Sequence, residues 1–320
     1  MSDPGWLCVW GREGRPAPAH VHPRHPMNTS NAAPRRALLA LAMCASLSLP
    51  ILPVRAADRS CVDAGGSPIP DSTDQGNEDT GGSNGDNATC EPFASAYGWQ
   101  NLASGVNSSA FGYFNTARGE TSNAFGFENS AVGYASSAFG WNNVANGSGS
   151  SAMGTSNVAT GSSSNAYGWN NTATGEQSSA FGFFSTASGR GSVAFGGWWN
   201  RDGQATIDPA EATTAAGVNS VALGAGAIAW DDSSVAVGVG SVAGDSGAAT
   251  TLGRNSVAVG TWIDADGDGV FDAGADTLNS ATALYSSAFG VGNTAGKYGA
   301  SAYGASNSVI GDAGSAFGFN

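Results

Sequence analysis

The densest run of chemistry-bearing side chains in this 320-residue sequence is Asp264-Ala265-Asp266-Gly267-Asp268-Gly269-Val270-Phe271-Asp272. A hard cation takes six to eight oxygens, and carboxylates at alternate positions with glycine at the turn supply them. The spacing predicts a calcium site made by Asp264, Asp266, Asp268 and Asp272, with a backbone carbonyl from Val270. Ala275 stands where the closing bidentate Glu belongs, and Asp276, one place on, is the expected substitute. A solvated acidic hairpin tip is the alternative. Catalytic material is scarce. His20, His22 and His25 all precede residue 27, where His-x-His-x-x-His offers a metal only weakly. Asp231 and Asp232 sit where a bend glycine belongs and read as a solvated turn. No nucleophile lies beside a base, so the chain is expected not to be an enzyme.

The framework that must position these residues is a repeat. Gly98, Gly112, Gly126, Gly140, Gly154, Gly168, Gly182 and Gly196 are spaced by fourteen, and Gly105 to Gly189 form a second series midway between them. A strict short period makes each repeat one coil of a solenoid. Five residues of alternating character predict a short strand, and glycine is expected to permit the bend after it. Two strands and two bends complete a coil. Its thin interior takes only small residues, hence the columns Ala96, Ala110, Ala124, Ala138 and Ala103, Ala117, Ala131, Ala145. Asn101, Asn115, Asn129, Asn143, Asn157 and Asn171 form a further column, expected to stack as an amide ladder. Large residues must then point outward. Tyr97, Phe111, Phe125, Phe139, Met153, Tyr167, Phe181 and Phe195 make one stripe, and Trp99, Tyr113, Phe127, Trp141, Trp169 and Phe183 a second. So large an apolar surface predicts an oligomer core, with Phe111, Phe125, Phe139, Tyr167, Phe181 and Phe195 at the interface. An exposed aromatic platform for sugar or peptide is the alternative.

Punctuation divides the chain. Residues 1–56 read as an upstream extension and export signal: Met27, Arg35 and Arg36, an apolar stretch from Ala37 to Val54 broken by Pro50 and Pro53, and small residues before Ala57. Cys44 reads as part of that signal. Residues 57–91 are acidic and Gly-rich, without apolar periodicity, and Gly65 to Thr89 is expected not to order itself. Cys61 and Cys90 flank that stretch, and in an exported chain they predict one disulfide; two free thiols are the alternative. Repeats are expected over 92–196, 219–260 and 286–320. An insert at 197–218, carrying Trp198-Trp199-Asn200-Arg201-Asp202-Gly203, is expected to replace one coil. The register slips by one residue near Gly253, and a second insert at 261–285 holds the acidic loop.

Charge narrows the partners. The net formal charge is −13, and residues after 56 hold six basic against twenty-three acidic residues, a formal −17. Such a surface repels nucleic acid and anionic lipid, and no segment of the exported chain is expected to insert in a membrane.

The motifs Asn219-Ser220-Val221-Ala222-Leu223-Gly224, Ser233-Ser234-Val235-Ala236-Val237-Gly238 and Asn255-Ser256-Val257-Ala258-Val259-Gly260 resemble the Hep/Hag repeats of YadA-like heads of trimeric autotransporter adhesins. The aromatic coils follow the same template, so the resemblance spans roughly residues 92–320. It implies an all-β, left-handed parallel β-roll of 14-residue coils. It further implies a homotrimer, display at the bacterial cell surface or outer membrane, and multivalent attachment to an extracellular matrix protein or a cell-surface ligand. A heptad stalk and anchor-barrel strands are not found, so a truncated product, a fragment or a released head is expected. A passive surface or matrix solenoid without a specific ligand is the second reading. The third, a polysaccharide-active β-solenoid enzyme, is poorly supplied with basic residues.

Overall fold

The computed structural model describes residues 77–78, 87–91, 93–201, 203–204, 208, 211–245, 254–266, 270–272 and 275–319. The export signal, the His20–His25 cluster, Cys44 and Cys61 lie outside them. So do Asp202, Asp268 and residues 246–253.

Each repeat begins with a strand such as Ser109–Tyr113, followed by a bend and a two-residue strand such as Thr116–Ala117. Alternation decides which side chains go inside. Ala110 and Ala117 are fully buried, whereas Phe111 is half-buried and Tyr113 exposed. Successive coils stack in register. Phe111 pairs with Phe125, Phe125 with Phe139, and Ala117 with Ala131, all parallel. The long strands form one fifteen-stranded sheet and the short ones a fourteen-stranded sheet. The described chain is therefore an all-β parallel solenoid with a 14-residue repeat, and no α-helix occurs among the described residues. Its core is a column of alanines between the two sheets, with Val309 near the end.

Cohesion comes largely from hydrogen bonding, because alanine alone buries little apolar surface. The expected ladder is present. Asn129 Nδ2 donates to Asn115 Oδ1 at 3.0 Å, to the Phe125 carbonyl at 2.9 Å and to the Gly140 carbonyl at 2.6 Å. The ladder also extends beyond the residues read from sequence, to Asn87 at the start and to Asn279, Asn293 and Asn307 near the end. Between them, Ser185, Thr213 and Ser241 stand in the column and hydroxyls replace the amide. Thr213 Oγ1 bonds the carbonyls of Gly197 and Gly224, and Ser241 Oγ those of Val237 and Gly260.

The glycines act differently from expectation. Gly112, at φ +118°, lies inside its strand rather than after it. Gly105 and Gly119 do not bend the chain through a positive φ. They are glycine because a Cβ on Gly119 would run into the carbonyl of Gly133 in the next coil. The left-handed bend residues are instead Asn107, Phe114, Thr121 and Glu128, at φ near +55°. Their strain, about 1–2 kcal/mol each for L residues, is held by stacking: the N–H of Thr121 donates to the Val106 carbonyl at 2.8 Å.

Two further expectations are corrected. Gly65 to Thr89 was expected to lack order, yet Ala88–Thr89 pairs with Leu102–Ala103 and Asn87 heads the amide ladder. These residues join because they already follow the coil period. The first insert does not replace a coil. Thr186 pairs with Thr214 and Val193 with Val221, so a single coil is lengthened to two periods while both sheets continue. The expected one-residue slip falls within a lengthened coil, since Val235 pairs directly with Val257, eight residues more than one period.

Candidate functional site

Two surfaces concentrate chemistry: the ring-bearing face of the long sheet and the unit built by the inserts.

On the face, in-register pairing sets rings one strand apart. Phe111 and Phe125 stack at 4.9 Å with planes 2° apart, and Phe125 and Phe139 at 5.0 Å and 9°. Tyr167, Phe181 and Phe195 continue at 5.2 and 6.0 Å with tilted planes, and Phe289, Tyr303 and Phe317 resume the stack. From Tyr97 to Phe317 the row is apolar in every described coil, since Leu223, Val237 and Val259 occupy it between these aromatic segments. The second row runs beside it. Trp99, Tyr113 and Phe127 are nearly parallel, with planes 12° and 6° apart.

The inserts leave the roll at one corner, and their union was not legible in advance. Trp198 bridges Ala212 in antiparallel fashion, as expected of a hairpin. The Trp198 indole N–H and the Arg201 backbone N–H each donate to the buried carboxylate of Glu211 at 2.8 Å. Trp199 lies over Gly226 and Gly240, whose positions carry side chains in most other coils. It meets Trp262 of the second insert at 5.3 Å and Phe271 at 6.0 Å, and the Arg201 guanidinium covers Phe271 at 5.6 Å. The Phe271 N–H donates to the Arg201 carbonyl at 3.0 Å, closing the joint. Ile263 is accommodated in the same way over Gly292. Glycines at the position that follows the five-residue strands of other coils, namely Gly226, Gly240 and Gly292, are the signal that could have revealed this docking.

Of the six predicted ligand positions, the structure brings Asp264, Asp266 and Asp276 together, with one carboxylate oxygen from each within 4.8 Å of the others. Asp272 is outside that group, Asp268 lies outside the described residues, and Val270 packs near Gly203. Asp276 is buried at 7 % exposure. Its two oxygens accept from the N–H groups of Ala265 and Asp272, each at 2.8 Å. It thus clamps the hairpin whose strands meet at Ile263 and Thr277. The paired Asp231 and Asp232 are not a free solvated turn. Asp232 Oδ1 accepts from the Val218 N–H at 2.9 Å, Asp231 Oδ2 from that of Asp245 at 3.0 Å, and Arg254 lies 3.5 Å from Asp232. Both carboxylates tie coils together. Cys90 is disulfide-bonded, and its expected partner Cys61 lies outside the described residues.

The geometry agrees with comparison to known families. The YadA head domain repeat (2 copies) matches residues 103–129, 131–157, 173–197 and 215–241. The coils between residues 103 and 241 match YadA head repeats. No curated protein matches the chain. YadA heads form an adhesin family rather than an enzyme family. The repeats therefore speak for adhesin-type function and for exposure at a surface.

Proposed function

We propose that this chain is the head of a homotrimeric adhesin. Three left-handed rolls pack the row Phe111, Phe125, Phe139, Tyr167, Phe181 and Phe195 around a common axis, and the assembly holds a matrix protein or another cell at several points at once. The observation that carries this reading is the uninterrupted apolar row, one residue per coil, on a sheet face that nothing else in the described chain covers. A monomer rarely leaves such a surface in water. Burial of each ring stabilises assembly by roughly 1.5–3 kcal/mol. Three copies of one face convert weak single contacts into avidity.

Within this reading Cys61 pairs with Cys90, the chain is exported, and Asp264, Asp266 and Asp276, joined by Asp268, form a weak calcium site. Sedimentation tests the assembly. The mature chain should run as a trimer, and Phe125→Asp with Phe139→Asp as a monomer or an aggregate. An unchanged trimer in that variant would remove the proposal. Attachment of labelled protein to collagen, fibronectin and cells separates an adhesin from a passive solenoid, which would bind none.

A further inference from the structure

The second aromatic row has properties the first lacks. It is largely aromatic only before the first insert: Ala225, Val239, Thr261, Val291 and Ala305 take its place in later coils, until Phe319 at the end. Packing that runs the length of the roll thus has no need of it. Within it, register places Trp141, Thr155 and Trp169 on three consecutive strands. The two indoles are therefore two strand spacings apart, about 9.6 Å, with a short side chain between them. They are 57 % and 55 % exposed. Both are turned out of the stack that their neighbours keep: Trp141 lies at 82° to Phe127, and Trp169 at 78° to Phe183. Beside them runs a polar row, Asn142, Ser156 and Asn170. The backbone N–H of each is already engaged by the preceding coil, at 2.8, 2.8 and 2.9 Å. Their side chains form no hydrogen bond with any described residue, so amide and hydroxyl groups remain free for a ligand.

We propose that Trp141, Thr155 and Trp169, with Asn142, Ser156 and Asn170, bind a neutral β-linked polysaccharide lying along the roll axis. Indole faces stack on the C–H faces of pyranose rings, and the two-strand interval matches two units of an extended β-linked chain. The adjacent amides and hydroxyl serve the equatorial hydroxyls. The acidic balance of the chain after residue 56 selects against anionic polymers. Each site is small and weak, and three sites on one assembly make attachment effective. The proposal deepens the adhesin reading by naming a ligand class, and it rests on that reading.

The test titrates full-length mature protein with cellohexaose and chitohexaose, followed by indole emission and calorimetry, with gelatin as a peptide probe. Saturable oligosaccharide binding is expected. Trp141→Ala or Trp169→Ala should weaken it up to about tenfold, the size of one lost ring contact. Trp141→Phe should weaken it less, and Trp99→Ala, outside the gap, should leave it unchanged. Circular dichroism verifies that each variant folds. Absence of binding to both oligosaccharides, or binding indifferent to both alanine variants, overturns the proposal. Gelatin binding lost in the same variants reassigns the surface to peptides. Dissociation of the trimer in them reassigns it to contact between copies. The Phe125→Asp, Phe139→Asp sedimentation result judges the head reading separately from these outcomes.

Discussion

Asn101 Oδ1 accepts two hydrogen bonds from Asn115, one from its backbone N–H and one from its side-chain amide, each at 3.0 Å. Wherever Asn follows Asn in this column, the bend of one coil is thus tied to the next by a buried side chain, and only Ala227 among the described column residues carries no polar group. Replacing Asn129 by Ala would leave the Gly140 carbonyl and the Asn143 N–H without this partner in a dry interior. The expected loss is about 2–6 kcal/mol, from two groups at about 1–3 kcal/mol each. Asn129→Ser should lose less, since Ser185 and Thr213 already serve this column. Equal destabilisation of the two variants in urea melts would contradict the ladder's role.

Gly119→Ala tests close stacking. The added methyl faces the Gly133 carbonyl, a backbone atom that cannot rotate aside. Overpacking of this kind should cost about 3 kcal/mol or more. A variant melting with the parent would show that coils separate more readily than their pairing implies.

Gly240→Ala tests the docking of the inserts. Its φ is +66° and its Cβ would meet the Trp199 ring. Gly149→Ala is the matched control, at φ +65° with only Ser163 Oγ, 3.7 Å away, in reach. Gly240→Ala should open the inserts to protease while the roll survives, and Gly149→Ala should not. Identical digestion patterns for the two would argue against Trp199 as the anchor.

Much of the fold could be read in the sequence because one coil repeats its own constraints. Ala110 and Asn115 are forced by an interior too thin for anything larger, and their period makes them visible. The insert unit could not be read in the same way. Trp199, Trp262 and Phe271 recur with no period, and their meeting depends on two departures from the roll at one corner. The acidic loop was legible as a motif but not as geometry. A one-dimensional spacing placed Asp272 among the ligands, whereas the hairpin turns its N–H toward Asp276 and leaves its carboxylate outside the group.

Calcium titration decides what that loop does. With only Asp264, Asp266 and Asp276 converging, affinity should be in the ~10⁻⁴–10⁻³ M range of extracellular modules. Calorimetry should report one site per chain, lost in Asp266→Ala with Asp268→Ala, and bound metal should slow cleavage of the loop. No heat at millimolar calcium, with unchanged cleavage, would leave Asp276 as a hairpin clamp and nothing more.

In-register parallel pairing also gives the roll a mechanical character. Strands lie across the axis, so their hydrogen bonds run along it. Tension applied end to end is borne by those bonds in series, coil after coil, and not by one sheet sheared as a block. When a coil yields, fourteen residues straighten and release roughly 40 Å of chain, against a stacked height of about 4.8 Å. Because each coil pairs only with the coil before it and the coil after it, a yielding coil uncovers one edge of each neighbour and the remaining pairs stay intact. A cell tethered through such a head could therefore be dragged by flow while single coils give way as shock absorbers, and the same coils could rewind when the pull relaxes.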